Sequence, residues 1–288
     1  MAHVGPHEPV AVLLRSTLSE ALDDLRGREA DVRHDVDDAV HQLRVRCRRL
    51  RTDLRTFGPL YGDDRVTQLR QELSWLAESF DAARDLEVLC QRVQRTATKA
   101  PWEPLDVTFL LAELRDLQAR AQEDAVRALD GPRFRQVVAT LGSVATTTAM
   151  AEEAAQACEQ VLPPLVERAW QQLAGASARL TLTAPEEDWH RTRILAKRSR
   201  YTAETADRAL GRRHEAIVAE SKLVQEMLGE HQDAVITAQR LVSLGQHYRG
   251  SRALRIGRLV EREHALAREA ELAFLRRWPR IRELAEAG

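Results

Sequence analysis

The 288 residues carry 43 lysines and arginines against 44 aspartates and glutamates, a formal net charge of −1, so any affinity for polyanions must come from where the charges sit. Cys47, Cys90 and Cys158 are scattered and form no Cys-x-x-Cys pair, which argues against a disulfide scaffold and a structural zinc site and marks the thiols as packing residues. The N-terminus lacks a cationic start, and no run of about 18 apolar residues follows, so the expectation is a soluble cytoplasmic protein without membrane contact.

Alanine, leucine, arginine and glutamate dominate, and apolar residues recur at helical spacing along almost the whole chain, which predicts an all-α fold. In chain order, breaks are expected at residues 27 to 38, at Gly58-Pro59, at 98 to 106, at Gly131-Pro132, at 174 to 186, near Gly211 and from Gly245 to Gly250. They leave roughly eight or more helices. The stretch AGASARLTLTAPE at 174 to 186 reads as a linker between an N-terminal half, 1 to 173, and a C-terminal half, 187 to 288.

The first basic segment, AVHQLRVRCRRLRTDLR at 39 to 55, holds six arginines and one histidine against a single acid, Asp53. At about 100° per residue, His41, Arg44, Arg48, Arg51 and Arg55 share one stripe, and Leu43, Cys47, Leu50, Leu54 and Phe57 form a separate core seam. A second segment, HRTRILAKRSRYTAE at 190 to 204, superimposes on the first from its histidine. Arg44 then matches Arg193, Arg48 Lys197, Arg49 Arg198 and Arg51 Arg200. Its seam is smaller: Thr192, Ala196, Ser199, Ala203 and Ala206. Downstream, FDAARDLEVL at 80 to 89 pairs with LGEHQDAVI at 228 to 236, aligning Asp85 with Asp233. An internal duplication into two helical bundles accounts for both matches. Asp35 to Asp38 and Thr183 to Glu186 read as a capping residue followed three positions later by an acid at the helix start.

A solvated face would supply acids at i±4, yet the first stripe has almost none, and its phase recurs in the second half. The pattern points to an anion site. Arginine forks give paired hydrogen bonds to phosphate oxygens, and bases about 5 to 6 Å apart along a helix suit a polymer with an anion at every unit. No Gly-x-x-x-x-Gly-Lys-Ser/Thr loop or Gly-x-Gly-x-x-Gly turn is present, so nucleotide hydrolysis is not indicated and no cofactor is implied. His41 and His190 either donate to phosphate at the end of each stripe or pair with an acid such as Asp85 or Asp233. Glu187-x-x-His190 and Glu261-x-x-His264 have the spacing of carboxylate-bridged metal bundles, but the first half has no equivalent and the surrounding arginines oppose a dication.

The segments AVHQLRVRCRRLRTDLRTF, WLAESFDAARDLEVL, WHRTRILAKRSRY and KLVQEMLGEHQDAV resemble the signature segments of the CHAD family, the conserved histidine α-helical domain, over about residues 7 to 285. The resemblance implies two four-helix bundles related by a pseudo-two-fold axis, with a basic central channel that binds inorganic polyphosphate and directs the protein to polyphosphate granules. Carried over by position, the binding residues are His41, Arg44, Arg48, Arg51 and Arg55, then His190, Arg193, Lys197, Arg198 and Arg200. Arg49 joins them through its match to Arg198, and Arg84 and Lys222 are secondary candidates. Two departures stand out: Asp81 occupies the place of Gly229, and Glu204 that of Arg55. Some relatives carry a triphosphatase domain with a Glu-x-Glu-x-Lys motif, which is absent here, so the expectation is binding without catalysis. Single-stranded nucleic acid is the main rival ligand, although only Phe57, Tyr61, Trp189 and Tyr201 are available near the stripes for stacking. Metal-dependent phosphoanhydride hydrolysis is the third reading and lacks a nucleophile or metal constellation.

Overall fold

The computed structural model describes residues 4–34, 36, 38–99 and 101–287. Ten α-helices account for most of them: α1 (Val10–Arg33), α2 (Ala39–Thr56), α3 (Arg65–Ser79), α4 (Asp81–Thr98), α5 (Thr108–Asp130), α6 (Pro132–Thr147), α7 (Cys158–Ser177), α8 (Glu186–Leu210), α9 (Glu215–Gly245) and α10 (Gly250–Ala287). Among the described residues, extended pairing is confined to two isolated bridges, Pro9 with Ala157 and Tyr61 with Met150, so the expected all-α class holds. None of the described helices is long and apolar enough to cross a membrane.

Most breaks fall where glycine and proline put them. Gly211 and Gly250 take left-handed φ values of 71° and 60°, a conformation glycine adopts without steric cost. Gly27, by contrast, lies inside α1, because the apolar stripe through Leu18, Leu25 and Val32 stays buried on both sides of it. The break at 148 to 157 has no sequence signal, since TAMAEEAAQA contains good helix formers. Tertiary hydrogen bonds override propensity there: Gly62 donates to the Ala149 carbonyl at 2.9 Å and Ala151 to that of Leu60 at 3.0 Å.

The expected caps differ in detail. The α2 N-cap is Asp38, held at φ 62° without a side-chain cap hydrogen bond, while its carboxylate accepts from Gln42 Nε2 at 2.8 Å. Asp35, the residue expected to cap, lies outside the described residues. At α8 the Thr183 hydroxyl pairs with that of Thr181 at 3.2 Å.

The chain divides into two compact units, each of three segments: unit 1 is Met1–Arg84, Ala119–Trp170 and Arg198–Val218, and unit 2 is Asp85–Gln118, Gln171–Lys197 and Ala219–Gly288. The 174 to 186 stretch therefore lies inside unit 2, and the halves 1 to 173 and 187 to 288 each contribute to both units. Long helices such as α4, α5 and α8 supply residues to both, so a run of small residues does not mark a boundary.

In unit 1, α1 packs on α2, α2 on α3, α3 on α6 and α6 on α1, which closes a four-helix ring. Leu13, Leu18, Leu43, Leu50, Leu54, Leu69, Leu73, Val137 and Leu141 are among its buried side chains, each worth about 1.5–3 kcal/mol of burial. In unit 2, Leu89 and Val93 from α4, Leu110 and Leu114 from α5, Leu241 from α9 and Ile256 and Leu259 from α10 share one core cluster. Beside it, buried Arg92 donates Nε–H to Glu263 at 2.6 Å, and the Thr96 hydroxyl donates to the other Glu263 oxygen at 2.6 Å. Burial works against the Arg92 charge, but the Glu263 and Glu230 carboxylates outweigh it and hold the guanidinium more firmly protonated than usual.

Candidate anion-binding site

The α2 amphipathicity predicted from spacing is present in full. Leu43, Cys47, Leu50, Leu54 and Phe57 are all buried, and His41, Arg44, Arg48 and Arg51 are half-buried with Arg55 exposed. Asp53 sits on the core side, 5 % exposed, and accepts from the Thr205 hydroxyl at 3.4 Å. Burial pushes its carboxyl up to about 7 against the pull of Arg49. The one acid of the segment is therefore turned away from the stripe. Cys47 lies under the same helix, and burial raises its thiol to about 12 despite neighbouring Arg51 and Arg44.

The remaining charges in unit 1 are partly compensated. Arg44 Nη2 lies 2.5 Å from Asp81, Arg84 Nη1 donates to Asp38 at 3.3 Å, and Glu204 takes both Arg49 at 2.9 Å and Arg200 at 2.7 Å. Glu204, which stands where the first segment has Arg55 when the two are superimposed from their histidines, thus engages two of the candidate bases. Among the described residues, no carboxylate pairs with Arg48, Arg51 or Arg55, and the buried Nε of Arg48 has no hydrogen-bond partner. Arg198 donates Nε–H to the Thr56 hydroxyl at 3.4 Å. Burial, followed by the like charges of Arg55 and Arg168, lowers its pKa from the usual arginine value. Cations are crowded at this end of α2. Arg168, on α7, has no basic pattern around it in sequence, so spacing alone gave no signal for it.

The second stripe is divided between the units: His190, Arg193 and Lys197 belong to unit 2, and Arg198 and Arg200 to unit 1. The α8 seam of Thr192, Ala196, Ser199, Ala203 and Ala206 is buried throughout. Exposed His190 bonds through Nδ1 to Gln232 Oε1 at 2.8 Å, so its partner is the residue before Asp233 rather than Asp233 itself. Burial raises the Asp233 pKa, while Arg193, Arg92 and Lys197 act to lower it. Gly229 lies against Arg193: a Cβ there would come 3.7 Å from the guanidinium Nε. Arg92 escaped sequence reasoning because the acids that hold it, Glu263 and Glu230, lie far along the chain on other helices. Lys222 is exposed and lies 3.8 Å from Glu226. His41 sits on the α2 face, and Asp85, the other suggested histidine partner, accepts from Arg240 at 2.5 Å.

The four aromatic residues near the stripes are buried. The Arg49 and Arg200 guanidiniums lie 5.6 and 5.7 Å from the Tyr201 ring centroid, so this ring packs against cations.

The family model described as CHAD domain matches residues 16–242. The chain belongs to the CHAD domain family. Two solved structures share its fold. PptA from Streptomyces chartreusis aligns with a TM-score of 0.77 at 21 % identity, covering 94 % of this chain and 99 % of that one. The CHAD domain from the plant Ricinus communis aligns with a TM-score of 0.75 at 23 % identity, covering 96 % and 94 %. Curated relatives include the uncharacterized proteins Rv2226 and MT2285 from two strains of Mycobacterium tuberculosis, each 29 % identical over 277 residues. The alignment takes in 91 % of this CHAD chain and 52 % of each relative, so the chain spans about half their length.

Proposed function

We propose that this CHAD protein binds inorganic polyphosphate, without catalysis of its own, through the cationic faces of α2 and α8. The observation that carries the reading is the state of the α2 stripe. Arg48, Arg51 and Arg55 have no carboxylate partner among the described residues, and the only acid of the segment, Asp53, is buried on the opposite side. Such a row of like charges repels itself unless an anion shares it, and guanidiniums at helical spacing match a chain of phosphates. The raised pKa of Asp233 and the lowered pKa of Arg198 both follow chiefly from burial, and the ions around each are mostly cations. Granule association in the cytoplasm would follow from affinity for long chains.

Single-stranded nucleic acid fits less well. Its binders expose aromatic platforms worth about 1–3 kcal/mol per stacked base, whereas Phe57, Tyr61, Trp189 and Tyr201 are buried here. Competition binding decides between them: long-chain polyphosphate is expected to displace single-stranded DNA of matched charge, with an affinity that falls steeply as salt rises. Equal or tighter binding of the DNA would overturn the ranking. Phosphate release during incubation with polyphosphate and magnesium would overturn the non-catalytic reading.

A further inference from the structure

His231, on α9 in unit 2, is 1 % exposed, and neither of its ring nitrogens makes a hydrogen bond among the described residues. A buried imidazole left this way loses its hydration without compensation, which native interiors tolerate only for a reason. Its surroundings supply one. Nε2 lies 3.3 Å from Glu271 Oε1 and 3.7 Å from Glu186 Oε1, without the alignment of a hydrogen bond. Across the three side chains, the ligating atoms lie within 4.8 Å of one another. Donors each about 2.0–2.2 Å from a shared tetrahedral ion are about 3.4 Å apart, close to the 3.3 and 3.7 Å that separate His231 Nε2 from the two carboxylates.

The supports are already in place. The Trp189 ring lies 5.1 Å from the His231 ring, and Phe274 meets Trp189 edge-on at 5.7 Å, which fixes the imidazole plane. Arg268 Nη1 donates to Glu271 Oε2 at 3.1 Å, leaving Oε1 directed at His231. Glu186, the first residue of α8, is exposed and gives an ion a path from solvent.

We propose that Glu186, His231 and Glu271 bind one divalent transition ion of the zinc class, with solvent in the remaining coordination position. An imidazole nitrogen with two carboxylates suits zinc better than magnesium, which prefers oxygen ligands in a regular octahedron. The ion would pin the start of α8 to α9 and α10 within unit 2. Nδ1 lacks the acceptor that usually supports a ligating histidine, a lack that typically costs about 10–100-fold in affinity, so binding is weaker than at a site with that support. The separated pairs Glu187/His190 and Glu261/His264 play no part in it.

The test uses the full chain, stripped with chelator in phosphate-free buffer and titrated with zinc chloride by calorimetry, alongside thermal unfolding. One equivalent is expected to bind and raise the unfolding midpoint; magnesium is expected to do neither. Glu186→Gln, at an exposed position that leaves the core intact, is expected to weaken zinc at least roughly tenfold and remove the midpoint shift. His231→Gln is expected to do the same, and if that variant fails to fold, Glu271→Gln with cobalt(II) absorption as the readout takes its place. No zinc binding by the wild type, or unchanged binding by Glu186→Gln, would overturn the proposal.

Discussion

Helices α2 and α8 carry bases in the same phase over cores of different size. Behind the α2 stripe lie leucines, a cysteine and a phenylalanine; behind the α8 stripe lie threonine, serine and alanines, and every one of these positions is buried. The phase of the seam, not the bulk of its residues, decides which face turns inward, but the α8 stripe is not open along its whole length: Lys197 is buried, while His190 is exposed and Arg193 and Arg200 are half-buried. The acids differ as well. Asp53 is buried in α2, and the superimposed position of α8 holds buried Thr202. Asp81 sits on Arg44, while its counterpart Gly229 packs against Arg193, where a Cβ would lie 3.7 Å from the guanidinium Nε.

Reversing Arg44 and Arg48 together to glutamate breaks the comparison most severely. Two charge-assisted contacts are lost, about 3 to 6 kcal/mol in all, so polyphosphate affinity is expected to fall a hundredfold or more while circular dichroism shows unchanged helix content. Undiminished affinity would remove the α2 face from the site.

Replacing Asp53 with asparagine sharpens the contrast with Thr202. A carboxyl that is about 7 when folded and near 3.9 when unfolded holds its proton more tightly in the native state. Its contribution is fully present below about pH 4 and is lost as pH rises toward 7. The variant is expected to gain up to about 4 kcal/mol over wild type at pH 8, and little at pH 4, in denaturant unfolding. A wild-type stability that does not decline relative to the variant over this range would show that Asp53 is not desolvated.

The smallest effects come from exchanging the acid between the two stripes. Asp81→Asn removes one carboxylate from beside Arg44 and is expected to tighten polyphosphate binding, and Gly229→Asp adds one beside Arg193 and is expected to weaken it, each by about 0.5–1 kcal/mol. Titration calorimetry of the two variants reads the opposite signs directly. Shifts in the same direction would mean that local charge at these positions does not set affinity.

Much of this was legible in the sequence. Spacing gave the all-α class, both seams and the α2 stripe, because burial on a helix follows a 100° period that short-range pattern reveals. Asp81 and Glu204 stand out in the superimposed segments as departures, and each forms ion pairs with candidate bases, Asp81 with Arg44 and Glu204 with Arg49 and Arg200. Pairings set by tertiary approach were not legible. Arg92 with Glu263 joins residues far apart in the chain, the break at 148 to 157 depends on hydrogen bonds to the Gly58 to Gly62 turn, and the His231 cluster draws on three helices. The unit boundaries were hidden for a related reason: helices that supply residues to both units show no change of composition along their length.

Cys47 offers a use that has nothing to do with ligands. A thiol held near 12 beneath a helix stays almost wholly protonated and shielded from alkylating reagents at neutral pH, even with two guanidiniums close by. Its labelling by such a reagent therefore has to wait for α2 to lift away from its neighbours, and the labelling rate becomes a clock for that local opening.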